Sequence, residues 1–261
     1  MIFYELKQSI EQLARIHKEK VAICIQTEEG TISINADMKM RSASIIKVPL
    51  ALACLYQAEQ KKLVLNQPIQ VENKVAGSGV LNYLSGNPSL TLINYIELAM
   101  IVSDNTASNI LIDAAGIEQV NLFMDSIGMK NTVLKRYFMD FEALKDGLEN
   151  MTTAQDMMTC LAILTEENSW LSAQSRHQLQ QILSHQQFQH KLARYASTAG
   201  ADIFIAHKTG ELDGIEHDIG VMQKEEVQVK VVVLTTGWEH ATEAQRFIGE
   251  VGKEVMKYMQ K

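Results

Sequence analysis

Ser42-Ala43-Ser44-Ile45-Ile46-Lys47-Val48-Pro49 leads directly into an apolar run, Leu50 to Tyr56. The run has few β-branched residues, which favours a buried helix over a strand. Pro49 is accommodated only near a helix start, where N–H groups have no partner, so the helix should begin close to Ser44. Ser44 and Lys47 lie three residues apart and share one face of such a turn. A hydroxyl at the mouth of a buried helix, with an amine one turn below, suits nucleophilic catalysis. A neutral lysine takes the serine proton, and N–H groups at the helix N-terminus hold an oxyanion. Alone, the pair is a weak signal. S-x-x-K arises by chance roughly once in a few hundred residues. An N-cap serine before a core helix, with a surface lysine, accounts for it equally well.

The whole chain narrows the function classes. Its 261 residues suit one large domain or two intimate ones. A net charge of −7 with no basic cluster argues against a nucleic-acid partner. Met1 to Lys7 is not a signal peptide, because Glu5 interrupts it and no long apolar region follows. No stretch reaches membrane-spanning length. As written the protein is expected in the cytoplasm; a processed form would be secreted. Cys24, Cys54 and Cys160 sit in apolar runs and read as buried thiols rather than a disulfide framework.

Taken in order, Tyr4 to Lys18 has helical spacing, with Ile10, Leu13 and Ile16 on one side. Val21 to Gln26 and Thr31 to Ile34 read as strands around a Glu28-Glu29-Gly30 turn. After the Ser44 helix, Ile69 to Glu72 suggests a short strand and Ala76 to Leu81 a glycine-containing turn. Helices are expected over Leu90 to Val102, Thr106 to Ala115 and Ile117 to Ile127, the last two closed by Gly116 and Gly128. Leu134 to Asn150 has no clean period and reads as a long loop with at most one helical turn. Two further helices run from Thr152-Thr153 to about Glu167 and from Leu171 to Gln186. Beyond Gly200 the pattern changes to strands: Ile203 to Lys208, Asp218 to Met222 and Val227 to Thr236. A final helix spans Ala241 to Met259.

Strands from both ends should therefore share one sheet. The expected fold is α+β, an antiparallel five-stranded sheet flanked by terminal helices, plus an inserted all-helical lobe. Residues 1–40 and 200–261 would form the sheet lobe and 41–199 the helical lobe, with an active site in the groove between them.

Three motifs stand in one order: Ser44-x-x-Lys47, Ser103-Asp104-Asn105 and Lys208-Thr209-Gly210. Each exact tripeptide arises by chance about once in several thousand residues. Taken singly, Ser103-Asp104-Asn105 could be a capped turn between helices, and Lys208-Thr209-Gly210 a strand ending in a turn. Together and in order, each at the edge of an element, they are not a coincidence. On these residues the chain resembles the β-lactamase and penicillin-binding protein superfamily, and specifically its class A branch. The resemblance covers nearly the whole chain. Gly77-Ser78-Gly79-Val80-Leu81, Thr106-Ala107-x-Asn109-x-Leu111 and Gly214-x-x-x-Asp218-Ile219 also look like class A flanking sequence.

The resemblance implies a serine hydrolase that opens β-lactam amides through an acyl-Ser44 intermediate. Lys47 would activate Ser44 or shuttle its proton, and Ser103 would pass a proton toward the leaving nitrogen. Asn105 would hold Lys47 and the substrate amide. Lys208, supported by Thr209 and Gly210, would bind the substrate carboxylate and favour a neutral Lys47. The N–H groups of Ser44 and Glu211 would form the oxyanion hole. The expected partner is a small β-lactam or peptide-like amide, with no cofactor, no metal and a monomeric chain. The alternatives are a penicillin-binding-protein-like peptidase or esterase, and a non-catalytic acylated sensor.

One part of the pattern departs from the family. Class A enzymes carry R-x-E-x-x-x-N, whose Glu and Asn hold the deacylating water. Here Arg136-Tyr137-Phe138-Met139-Asp140-Phe141-Glu142 places Phe138 at the Glu position and Glu142 at the Asn position. Asn150 stands where an Asp usually pairs the Arg. Asp140 and Glu142 are the nearby carboxylates. In an extended segment they would share one side, which makes each a candidate base. Without a base the acyl-enzyme would persist. His207 reads as an ordinary strand residue, while His217 and Asp218 read as rim or turn residues. His185 and His190 lack metal-ligand company, and Met157-Met158 reads as core filler.

Overall fold

The computed structural model describes residues 1–198 and 203–260. The lobe boundary expected at residue 200 lies outside the described residues, as does Lys261.

The strands are β1 (Val21–Gln26), β2 (Thr31–Ile34), β3 (Met40–Arg41), β4 (Pro68–Gln70), β5 (Ser89–Thr91), β6 (Met151–Thr152), β7 (Phe204–Leu212), β8 (Ile215–Lys224) and β9 (Val227–Thr235). The helices are α1 (Phe3–Arg15), α2 (Lys47–Glu59), α3 (Leu92–Ile101), α4 (Asn105–Ala115), α5 (Ile117–Ser126), α6 (Phe141–Lys145), α7 (Ala154–Thr165), α8 (Ala173–Ser184) and α9 (Ala241–Tyr258). The main sheet has the order β2-β1-β9-β8-β7 and is antiparallel throughout. Ile23 sits opposite Val233, so the two ends of the chain meet at the centre of the sheet. Two small pairs, β3 with β6 and β4 with β5, stitch the helical region. Among the described residues no helix is long and apolar enough to cross a membrane.

Strand alternation divides the sheet between two cores. Ile23, Ile25, Val229, Val231 and Val233 face α1 and α9, meeting Leu6, Ile10, Phe247, Val251 and Val255. Ala22, Cys24, Val232, Leu234 and Val221 face the helical region, meeting α2, α7 and their neighbours. A strand buried on both faces must be nearly continuous in apolar residues, which is why Val231 to Leu234 shows no polar alternation. Truncating Ile23 to Ala would cost about 2–5 kcal/mol.

Helix α2 is apolar all round, and Lys47 to Leu55 are all buried. A 3-10 turn, Ala43 to Ile46, carries Ser44 into it. Pro49 falls in the first turn, where its missing N–H costs nothing. At the sheet edge β7 runs to Leu212, beyond the end expected at Lys208. It turns at Asp213-Gly214 and pairs with β8 through Leu212 opposite Ile215. Lys208-Thr209-Gly210 is therefore inside a strand, not past its end. Gly214, at φ +68°, supplies the left-handed turn residue that the hairpin needs. The segment between residues 134 and 150, read as a long loop with at most one helical turn, holds that turn as α6, capped by Asp140, whose Oδ1 accepts from the Ala143 N–H at 3.0 Å.

Candidate active site

Ser44, Asn105 and Glu211 line one cleft of about 260 Å³. Its walls are Gly77 and Ser78, the stretch Phe138, Met139, Phe141 and Leu144, the charged trio Arg41, Arg136 and Glu149, and Leu212 of β7. The three sequence motifs meet here. Gly210 makes the closest approach: a Cβ at that position would lie 3.2 Å from the Ser44 nitrogen and 3.2 Å from the Ala43 Cβ. The backbone of β7 thus runs against the Ser44 turn, and no larger residue fits there without displacing it.

Lys47 is fully buried below Ser44. Its Nζ lies 2.8 Å from Ser103 O, 3.1 Å from Ser103 Oγ and 2.9 Å from Asn105 Oδ1. Burial pushes its pKa well below the ordinary lysine value. The charge on Lys208 pushes the same way, and Asp104 opposes both. Lys208 is also fully buried, donating to Thr209 O at 2.8 Å. Desolvation, then the nearby Lys191, bring its pKa down to about 7 against the pull of Asp218 and Glu211. Lys208 and Thr209 sit behind the cleft wall rather than on it.

The second motif is held from below. Asp104 caps α4 by accepting from the Ala107 N–H at 2.9 Å. Its other oxygen accepts from Val80 and Leu81 N–H at 2.7 and 2.9 Å. That clamp brings the Gly77–Leu81 turn to the cleft, where Asn105 N donates to Ser78 O at 3.0 Å. Gly79, at φ +112°, admits the clamp because a Cβ there would fall 2.3 Å from the Asp104 carboxylate. Three non-glycine residues around the site hold left-handed backbone: Ala43 at φ +46°, Ser103 at +56° and Met139 at +64°. Such conformations cost roughly 1–3 kcal/mol each and persist only where the surroundings enforce them.

Phe138 occupies the wall opposite Lys47, its ring centroid 4.3 Å from Nζ. Asn109 of α4 fixes its backbone by accepting from Phe138 N–H at 2.8 Å and donating to Phe138 O at 3.0 Å. Neither candidate base reaches the cleft. Asp140 is committed to the α6 cap. Glu142 points to solvent, its side chain 83 % exposed and paired with Lys145 at 2.7 Å. The assumption of an extended segment fails here, because the Asp140 cap starts a helix and turns Glu142 outward.

The Arg136 guanidinium pairs with Glu149, while Asn150 ties the loop through the Arg136 backbone. Glu149 accepts from Arg41 Nε at 2.7 Å, from Arg136 Nη2 and Nε at 2.8 and 3.1 Å, and from Asn150 N–H at 2.9 Å. Burial works against its charge, but these donors outweigh it and hold its pKa below the usual carboxylate value. Asn150 instead accepts from Lys135 and Arg136 N–H at 2.7 and 3.1 Å.

Lys191 escaped the sequence reading, and two histidines are more buried than it expected. Lys191 donates to Gly210 O at 3.0 Å and lies 3.1 Å from Glu211 Oε1 and 2.5 Å from Glu216 Oε2. His217, expected at a rim or turn, is fully buried in β8. Its Nε2–H donates to Arg41 O at 2.9 Å, and Nδ1 accepts from Thr235 N–H at 3.1 Å. Burial drives its pKa down to about 4. His207, read as an ordinary strand residue, is buried with Nδ1 3.0 Å from Asp218 Oδ1. No periodic signal marks a buried cation whose partners lie far along the chain.

A profile described as the beta-lactamase enzyme family matches residues 5–259. Beta-lactamase CARB-3 of Pseudomonas aeruginosa is 27 % identical over 207 residues, covering 77 % of this chain and 71 % of its own. The crystal structure of a beta-lactamase from Sphaerobacter thermophilus superposes with a TM-score of 0.89 at 27 % identity, covering 100 % of this chain and 98 % of that one. The structure of PBP-A shares the fold with a TM-score of 0.85 at 22 % identity, covering 99 % and 97 %.

Proposed function

The chain belongs to the beta-lactamase enzyme family, and from that premise we propose that it opens β-lactam amides through an acyl-Ser44 intermediate and releases the acyl group slowly. The observation that carries this is the buried, charge-depleted Lys47 held between Ser103 and Asn105 beneath the cleft that Ser44 lines. A neutral amine gives its two N–H groups to Ser103 O and Asn105 Oδ1, leaving a lone pair for a hydroxyl proton. Ser44 Oγ attacks the lactam carbonyl and its proton passes to Lys47. The Ser44 and Glu211 N–H groups hold the oxyanion. The C–N bond breaks as the proton moves through Ser103 Oγ to the leaving nitrogen. Lys208, a residue of β7, attracts the substrate carboxylate.

Hydrolysis of the ester then needs a base to activate water. The carboxylates on the cleft wall, among the described residues, are Glu149 and Glu211. Glu149 is saturated by two arginines. Glu211 is held at a pKa of about 2, first by its His190 bond and then by Lys191. Glu211 is thus too acidic to take a proton from water near neutrality, and the arginines occupy the oxygens of Glu149. Phe138, at the family's Glu position, favours a second outcome of the same acylation: a penicillin-binding protein or sensor in which the adduct itself is the product. Covalent labelling tests the shared step. Benzylpenicillin should add its mass to the wild-type chain and none to Ser44→Ala; an adduct on another residue of that variant would remove Ser44 from the role.

A further inference from the structure

The charged trio in the cleft does not balance. Arg41 and Arg136 share the single carboxylate of Glu149. Arg136 and Glu149 are mostly buried, their side chains 10 % and 15 % exposed, while Arg41 is 38 % exposed. The surplus positive charge therefore sits on Arg41. Glu149 engages only its Nε–H. Among the described residues its two Nη groups have no acceptor, and Arg41 lines the cleft. The other anion on the wall, Glu211, is already occupied by Lys191 and His190. Arg41 is also held in place at its backbone. It pairs with Met151 in the β3–β6 ladder, and its carbonyl accepts from His217 Nε2. A fixed guanidinium with a free fork of donors, three residues before the nucleophile, suits a carboxylate.

We infer that Arg41 is a specificity-determining residue for a second negative charge on the substrate, carried by its acyl side chain. The site then selects dianionic acyl donors: one carboxylate for Lys208, the other for Arg41. This rests on the acyl-Ser44 reading above. Ser44, Phe138, Phe141 and Arg41 line the same cleft, so an acyl side chain lying along that wall comes within reach of Arg41. Substrates in this class are penicillins with an acidic acyl side chain and peptide-like amides with an acidic residue on the acyl side.

The test uses two penicillins that differ by one carboxylate, carbenicillin and benzylpenicillin, and compares their second-order rates of adduct formation by rapid-quench mass spectrometry. The wild-type chain should favour carbenicillin. In Arg41→Gln the carbenicillin-to-benzylpenicillin ratio should fall roughly tenfold or more, as expected for losing a charge-assisted hydrogen bond. Arg41→Lys should retain much of the ratio, and added salt should compress it in the wild type but not in Arg41→Gln. An unchanged ratio, including equal slowing of both penicillins, would mean that Arg41 acts only by bracing Glu149, and would overturn the inference while leaving acylation intact. Failure of both penicillins to label Ser44 would overturn the underlying reading and this inference with it.

Discussion

The ring of Phe138 lies over the amine of Lys47, with 4.3 Å between Nζ and the ring centroid. In this position the ring shields one side of the amine from water, and in the function proposed above it stands where a carboxylate would activate water against an acyl-Ser44 ester. Phe138→Glu should therefore speed deacylation, by roughly a hundredfold on the general-base scale. It should also slow acylation, because a new carboxylate beside Lys47 raises that amine's pKa. Single-turnover kinetics separate the two steps. A variant that deacylates at the wild-type rate would show that the missing carboxylate is not what limits turnover.

Under the proposed function, Lys47 and Lys208 make acylation depend on pH in two directions. Lys47 acts as a base only when neutral, so the rate rises with pH through its depressed pKa. Lys208 attracts a carboxylate only when charged, so the substrate requirement grows above about 7, the value to which burial and Lys191 bring it. Lys208→Ala should remove the alkaline loss of affinity. It should also move the rising limb to higher pH, because Lys47 loses a repelling charge. A rising limb that does not move in this variant would contradict the coupling.

His217 should set part of the acid stability. Its pKa is lowered from 6.5 to about 4 by burial, so the fold holds it neutral. A depressed folded-state pKa contributes stability that is fully present above 6.5 and is lost as pH falls toward 4. The loss is about 3 kcal/mol. Thermal melting should fall across that window, and less steeply in His217→Gln. Glu211 adds a further loss only at lower pH, toward its value of about 2. Equal slopes for wild type and variant between pH 6.5 and 4 would assign the acid sensitivity elsewhere.

The carboxylates of the loop should separate cleanly. Glu142→Gln should leave acylation and deacylation unchanged and shift stability by no more than about 0.5 kcal/mol, since its pair with Lys145 is exposed. Asp140→Ala should cost about 1 kcal/mol through the lost cap. Glu149→Ala should cost about 3 kcal/mol, because it leaves the buried Arg136 unpaired. Denaturant unfolding of the three variants gives the order. Stalled deacylation in Glu142→Gln would restore it as the base.

The fold was largely legible because its main signals are local. Apolar runs bounded by turn residues marked β1 and β9, glycines marked the ends of α4 and α5, and the motif order pointed to one groove, which Ser44 and Asn105 line. What the sequence hid depends on distant partners. The end of β7 depended on a cross-strand pair, Leu212 with Ile215, rather than on the polar character of Lys208-Thr209-Gly210. The outward turn of Glu142 depended on one cap at Asp140. Arg136 found its carboxylate at Glu149, one residue from the position that spacing suggested. Lys191 and His217 are polar residues in a buried layer, and only their contacts with Gly210 and Arg41 reveal why they are there.

A serine ester that forms readily and leaves slowly is visible in intact mass followed over time after a pulse of benzylpenicillin. One added penicillin mass per chain, on Ser44, should outlast removal of free penicillin and disappear quickly once Phe138 is replaced by Glu. Rapid return of the wild-type chain to its unmodified mass, with hydrolysed penicillin accumulating at many equivalents, would contradict it.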